Sequence, residues 1–248
     1  MIIDIHAHLD YKNDDEIANM VKNAREKGVF LILNNGLNVV SNRKTLELVK
    51  KYDLVKAALA IYPDDVLQMS DVEIDSELEF IKKHKPIAIG ECGLDYASNL
   101  LPNQREKQIK TFEKHILLAN ELHLPLIVHS RKAEIDVIDT LEKMKAKKVI
   151  LHCFSGRKQL ILKALKLGYY FSIPTNVTRS LHFQELVKQV PITQLFAETD
   201  TPFLSPVKDA ENEPANVIFS YKKIAELKGM DETEVINSIF MNYQKLFL

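Results

Sequence analysis

Met1-Ile2-Ile3-Asp4-Ile5-His6-Ala7-His8-Leu9-Asp10 opens the chain. The run is apolar enough for a buried strand, yet it ends in two histidines two residues apart. A strand alternates faces with period two, so His6 and His8 point the same way. The same pattern of a compact apolar run with a polar residue at its C-terminal end recurs along the chain. Strand-like runs fall at residues 2–6, 29–34, 55–61, 87–91, 126–129, 149–152, 169–173 and 195–199. They have the composition of parallel strands buried on both faces.

Amphipathic stretches separate them, at residues 14–27, 38–51, 70–83, 102–123, 132–145, 157–167, 180–189, 214–228 and 231–247. Gly28 and Gly168 stop two of these, and Pro86, Pro125 and Pro191 close three more. Alternating strands and helices predict an α/β fold with a parallel sheet. Eight units in 248 residues predict a (β/α)8 TIM barrel forming one domain over residues 1–248. An open doubly wound sheet is the competing arrangement. The first strand is not followed by Gly-x-Gly-x-x-Gly, which counts against a dinucleotide-binding version.

Lys plus Arg number 33 and Asp plus Glu 34, a net charge of −1. No global basic field exists to coat nucleic acid, so any such contact is local. Only two cysteines are present, Cys92 and Cys153, which excludes a disulfide framework and fits reduced thiols in a cytoplasmic protein. Neither a long apolar run nor a leader pattern appears, so no membrane association is expected.

The polar strand ends form a set. His6 and His8 end the first strand, Glu91 the fourth, His129 the fifth, His152 the sixth and Asp200 the eighth. In a barrel those ends converge on one mouth. Four imidazoles and two carboxylates there make a metal constellation, since a cation removes the cost of burying several ionisable groups together. Six ligands exceed the three or four of a typical catalytic zinc site, so two divalent ions are expected. His6, His8 and Asp200 would hold one, His129 and His152 the other, with Glu91 bridging. Two such ions suit phosphodiester hydrolysis, with Glu91 and Asp200 as the catalytic carboxylates. Asp200 would also act as general base. Asp4 shares a face with the histidines and is a candidate acceptor for an imidazole N–H.

Asp4-Ile5-His6-Ala7-His8-Leu9-Asp10, Gly90-Glu91-Cys92-Gly93-Leu94-Asp95-Tyr96, His129-Ser130-Arg131-Lys132-Ala133, His152-Cys153-Phe154-Ser155-Gly156 and Glu198-Thr199-Asp200-Thr201-Pro202, followed by Asn212-Glu213-Pro214, resemble the TatD family of metal-dependent deoxyribonucleases. The spacing of Gln108 and Phe112 fits the same pattern. That family belongs to the amidohydrolase superfamily of distorted TIM barrels. The resemblance runs from Asp4 to Pro214. It implies the same six metal ligands, a 3′→5′ exonuclease acting on DNA, and Mg²⁺ as cofactor. The histidine-rich ligand set itself suits Zn²⁺ or Mn²⁺. Two stretches depart from the family. Tyr62 stands in Ala60-Ile61-Tyr62-Pro63, where a histidine is usual, and 207–211 is acidic without arginine. Both bear on substrate choice.

Arg131 is a candidate phosphate ligand. Tyr96 is a candidate base-stacking residue, and Arg179, after the seventh strand, a further phosphate candidate. Cys92, Cys153, Phe112, Leu117 and Leu118 are expected in the core. His84, His115, His123 and His182 lie on helical stretches and are not expected to bind metal. Hydrolysis of a small ester, amide or phosphoester is the alternative chemistry. Relatives of that kind often bridge their metals with a carboxylated lysine, and residues 87–91 contain none. A metal-stabilised scaffold without catalysis is the alternative of another class.

Overall fold

The computed structural model describes residues 1–98 and 100–248. It contains β1 (Ile2–Ala7), α1 (Asp14–Glu26), β2 (Val29–Asn35), α2 (Val39–Lys51), β3 (Val55–Leu59), α3 (Pro63–Val66), α4 (Asp71–His84), β4 (Ala88–Asp95) and α5 (Pro102–Leu122). These are followed by β5 (Leu126–Arg131), α6 (Glu134–Lys143), β6 (Val149–Leu151), α7 (Lys158–Lys166), β7 (Tyr170–Pro174), α8 (Leu181–Gln189), β8 (Leu195–Glu198), α9 (Val217–Lys228) and α10 (Glu232–Phe247). All eight strands are parallel and pair in sequence order, β1 to β8. The fold is the expected (β/α)8 barrel.

The ring closes along a seam between its last and first strands. Ala7 bridges Thr201, His8 N–H donates to the Thr201 carbonyl at 2.9 Å, and Asp200 N–H donates to the His6 carbonyl at 2.9 Å. Asp4 fastens the same seam from below. Its carboxylate accepts from Thr199 N–H at 2.8 Å and from the Thr199 hydroxyl at 2.6 Å. The expectation that Asp4 accepts from an imidazole N–H is thereby corrected: its oxygens are taken by β-strand backbone and hydroxyl donors. Burial pushes the Asp4 carboxyl up to about 8 against those bonds.

Local chemistry fixes the helix ends. Asn13 with Glu16, Ser70 with Glu73, and Asp231 with Glu234 form reciprocal capping boxes. Gly28 stands past the end of α1 with φ +77°, a conformation that needs no Cβ. The core has two layers, one inside the barrel and one between strands and helices. Outward-facing Ile3, Ile5 and Ala7 of β1 are completely buried, as are Ile89 and Leu94 of β4. Each buried Leu, Ile or Phe side chain contributes roughly 1.5–3 kcal/mol.

Several boundaries moved. β4 runs on to Asp95, and β3 stops at Leu59 so that Pro63 can start the short helix α3, where its ring is favoured and its missing N–H costs nothing. Leu117 is 55% exposed on the outer face of α5, whereas Phe112 and Leu118 are buried as expected. Cys92 is fully buried. Cys153 is half-buried, and its thiol comes within 4.8 Å of donor atoms of His152 and Glu198.

Candidate metal centre

Alternation along the strands delivers the polar side chains to one mouth. His6 lies in β1 and His8 just beyond it, Glu91 in β4, His129 in β5, His152 directly after β6, and Asp200 two residues after β8. Gly93 lets β4 and β5 approach each other: its φ is +145°, and a Cβ there would collide with the His129 backbone.

Glu91 sits at the middle of the group. Its Oε2 faces His6 Nε2 and His8 Nε2, each at 3.4 Å. Its Oε1 faces His129 Nδ1 at 2.9 Å and His152 Nε2 at 3.8 Å. Asp200 Oδ1 lies 3.6 Å from both His6 Nε2 and His8 Nε2, and 4.0 Å from His152 Nε2. The structure therefore brings all six predicted residues together. The donor atoms of His6, His8 and Asp200, and those of His6, Glu91 and His152, lie close enough to share an ion.

The far nitrogens fix the tautomers. His8 Nδ1 is 2.9 Å from the Asn35 carbonyl, which only an N–H can satisfy. His152 Nδ1 is 2.9 Å from Glu198 Oε2. His129 Nε2 is 3.1 Å from Asp95 Oδ2 and 3.2 Å from the Tyr62 hydroxyl, which itself donates to Asp95 Oδ2 at 3.0 Å. In each neutral ring the second nitrogen then aims a lone pair at the centre. His6 Nε2 and His8 Nε2 stand 3.0 Å apart, and His129 Nδ1 stands against a carboxylate oxygen. Lone pairs so crowded repel one another unless a proton or cation lies between them. The donor set fits divalent cations, with carboxylates orienting two of the imidazoles from behind.

Protonation supplies positive charge where a cation does not. Burial opposes the charge on Glu91, but His6, His129 and His8 hold it well below the usual carboxylate range. Burial likewise resists charging His8, yet Asp200 and Glu91 raise it well above its ordinary value. Against the same burial, Glu198 and Glu91 push His152 up to about 9. Burial and the neighbouring His152 keep His6 low.

The mouth is a cavity of about 470 Å³ that contains His8, Glu91, His129, His152 and Asp200. Tyr11, Tyr62, Asp64, Asp65, Arg131 and Phe203 also line it. Arg131, the last residue of β5, is exposed there. Tyr96 does not line this cavity. Its hydroxyl donates to Asp136 at 3.0 Å and the Arg105 guanidinium lies 4.6 Å from its ring, which makes it a packed anchor outside the barrel. Arg179 is also outside the cavity lining and donates to the Ser205 carbonyl at 3.3 Å. Among the other histidines, His115 is buried and accepts from Ile61 N–H at 3.1 Å, and His182 lies 3.0 Å from the Phe154 carbonyl.

Behind the ligands, Asp95 and Glu198 were not among the sequence candidates, and Tyr62 was singled out only as a departure bearing on substrate choice. Asp95 follows Glu91 by four residues on one strand face, and Glu198 precedes Asp200 by two. Both spacings carry a period-two signal.

Residues 3–248 match the family described as TatD related DNase. The human protein named deoxyribonuclease TATDN3 is 34% identical over 99% of this chain and 94% of its own length. A protein of Erwinia tasmaniensis named 3′-5′ ssDNA/RNA exonuclease TatD is 29% identical over 92% of each chain. The crystal structure of YJJV, a TatD homolog from Escherichia coli, superposes with a TM-score of 0.91 at 25% identity, covering 99% of this chain and 97% of that one.

Proposed function

This chain belongs to the family of TatD-related DNases and is a hydrolase of ester bonds, and on that premise we propose that it is a 3′→5′ exonuclease on single-stranded or frayed DNA ends, served by two divalent cations. The observation that carries this reading is the division of Glu91, whose two carboxylate oxygens each face a different pair of imidazoles. His6, His8 and Asp200 would hold one ion and His129 and His152 the other, with Glu91 facing both pairs of imidazoles. Two such ions supply Lewis-acid activation of water and stabilise both the attacking and the leaving oxygen of a phosphodiester.

The chain's own groups do the rest. Asp200 Oδ1, beside His6 and His8, orients the attacking water and takes its proton. Burial opposes its charge, and His8 and His152 nevertheless keep Asp200 below the usual carboxylate range, so it is ionised at neutral pH. Asn35, Asp95 and Glu198 hold three rings in the tautomers that present lone pairs inward. Arg131 at the rim holds a non-bridging phosphate oxygen. The resemblance favours Mg²⁺, while the imidazoles favour Zn²⁺ or Mn²⁺. Residues 1–248 act as one barrel domain. Among the described residues no helix is long and apolar enough to cross a membrane. Two free thiols fit a reducing cytoplasm.

The test is degradation of single-stranded DNA labelled at its 5′ end, with Mg²⁺ or Mn²⁺ supplied. A ladder shortening from the 3′ end is expected, and a His6→Ala, His8→Ala variant should lose at least 100-fold in rate. Equal rates in the two proteins would refute the site. Products arising only from internal cuts would refute the exonuclease mode.

A further inference from the structure

We propose that Tyr11 and Phe203 form a stacking subsite for the purine or pyrimidine ring of the nucleotide whose phosphate lies at the metal centre. This rests on the nucleic-acid reading above and deepens it. The two rings lie 5.8 Å apart, edge to face at 77°, in the wall of the metal cavity. Tyr11 also meets His8 edge-on at 5.7 Å. Their side chains remain 55% and 51% exposed.

Each ring is tethered to a metal-site residue by a short piece of ordered backbone. Tyr11 ends the single 3-10 turn that begins directly after His8, and its N–H bonds to the His8 carbonyl at 3.3 Å. Phe203 follows Asp200 by three residues and donates its N–H to the Asp200 carbonyl at 2.7 Å. An aromatic wall is therefore held at a fixed offset from the two donors on the seam. Adjacent apolar rings left open to water and rimmed by polar groups are the kind of patch that marks a ligand-binding groove. The other exposed aromatic residues among the described ones, Phe30 and Phe219, lie outside this cavity.

Charge at the rim supports the same occupant. Asp64 and Asp65 line the mouth against a single cation, Arg131. Beyond the phosphate held at the metal centre, such a rim offers little attraction to a phosphate backbone, so further grip on a DNA end comes from its rings. Stacking on aromatic side chains is worth about 1–3 kcal/mol per base and tolerates every base. The subsite therefore gives grip without sequence preference.

The test uses an oligothymidylate with phosphorothioate linkages that resist hydrolysis and 2-aminopurine at its 3′ end. Binding to the metal-loaded protein is read as fluorescence quenching. Quenching is expected with wild type, and a Tyr11→Ala, Phe203→Ala variant should weaken Kd at least tenfold at unchanged metal content. Tyr11→Phe should keep wild-type binding, as should Phe30→Ala. In parallel, KM for unmodified DNA should rise in the double alanine variant. Equal Kd and KM in wild type and the double variant overturn the subsite. Degradation of DNA by wild type without quenching of the probe overturns the subsite and leaves the nuclease reading standing. Quenching that the double variant loses, in a protein that degrades no DNA, overturns the nuclease reading and leaves the ring-binding subsite standing.

Discussion

Glu198 shows what a single buried carboxylate does at this centre. It is fully buried, holds His152 Nδ1 at 2.9 Å, and so fixes which nitrogen faces the centre. Glu198→Ala is expected to weaken metal binding about 10–100-fold, measured by calorimetric titration, because the ring loses both orientation and basicity. The raised His152 adds a pH dependence. A proton bound more tightly in the folded state stabilises the metal-free protein below pH 6.5, and that support is lost as pH rises through about 9. Metal binding runs the opposite way, because the imidazole must be neutral to bind. The gap in thermal midpoint between metal-loaded and chelator-treated protein should therefore widen from pH 6.5 to 9; a constant gap would contradict it. The six central residues were legible in the sequence because each ends a recognisable strand. Tyr62 was legible as a departure at the mouth, but its contacts with Asp95 and His129 were not, because it reaches them only through the turn into α3. Tyr96 was misjudged as a mouth residue: Asp95 points inward, so alternation sends its neighbour to the outer face.

At the scale of elements, β4 and β5 carry the tightest constraint. Gly93 permits their close approach, and any side chain there would meet the His129 backbone, which cannot swing aside. Gly93→Ala should destabilise the fold by about 3 kcal/mol in denaturant unfolding, through overpacking and an unfavourable φ. It should also weaken metal binding, since His129 moves with its strand. An unchanged midpoint would show that the strands can part without cost. Among the described residues, the eight strands and nine long helices were readable because period-two and period-3.6 patterns are strong over such lengths. The ends were less readable. β4 extends past Glu91 because Cys92 to Asp95 pair with β5, a partnership that no local pattern announces. The four-residue α3 is too short to show a period at all.

For the whole molecule, the balance of 33 basic and 34 acidic residues predicts how it holds DNA. A protein that neutralises several phosphates shows a log–log salt slope of about −0.7 per phosphate on single strands. With Arg131 as the only Lys or Arg lining the mouth among the described residues, the slope for oligonucleotide binding at fixed metal concentration should be shallower than about −2. A steep slope would reveal a basic track elsewhere on the surface. The barrel's seam has a further consequence for biosynthesis. Asp200 is synthesised nearly two hundred residues after His6 and His8. The His6 carbonyl and the Asp200 N–H bond to each other across that seam. A nascent chain that stops short of β8 lacks both Asp200 and the edge that registers it against the first strand. A chain stopped there is expected to be unable to assemble the proposed centre.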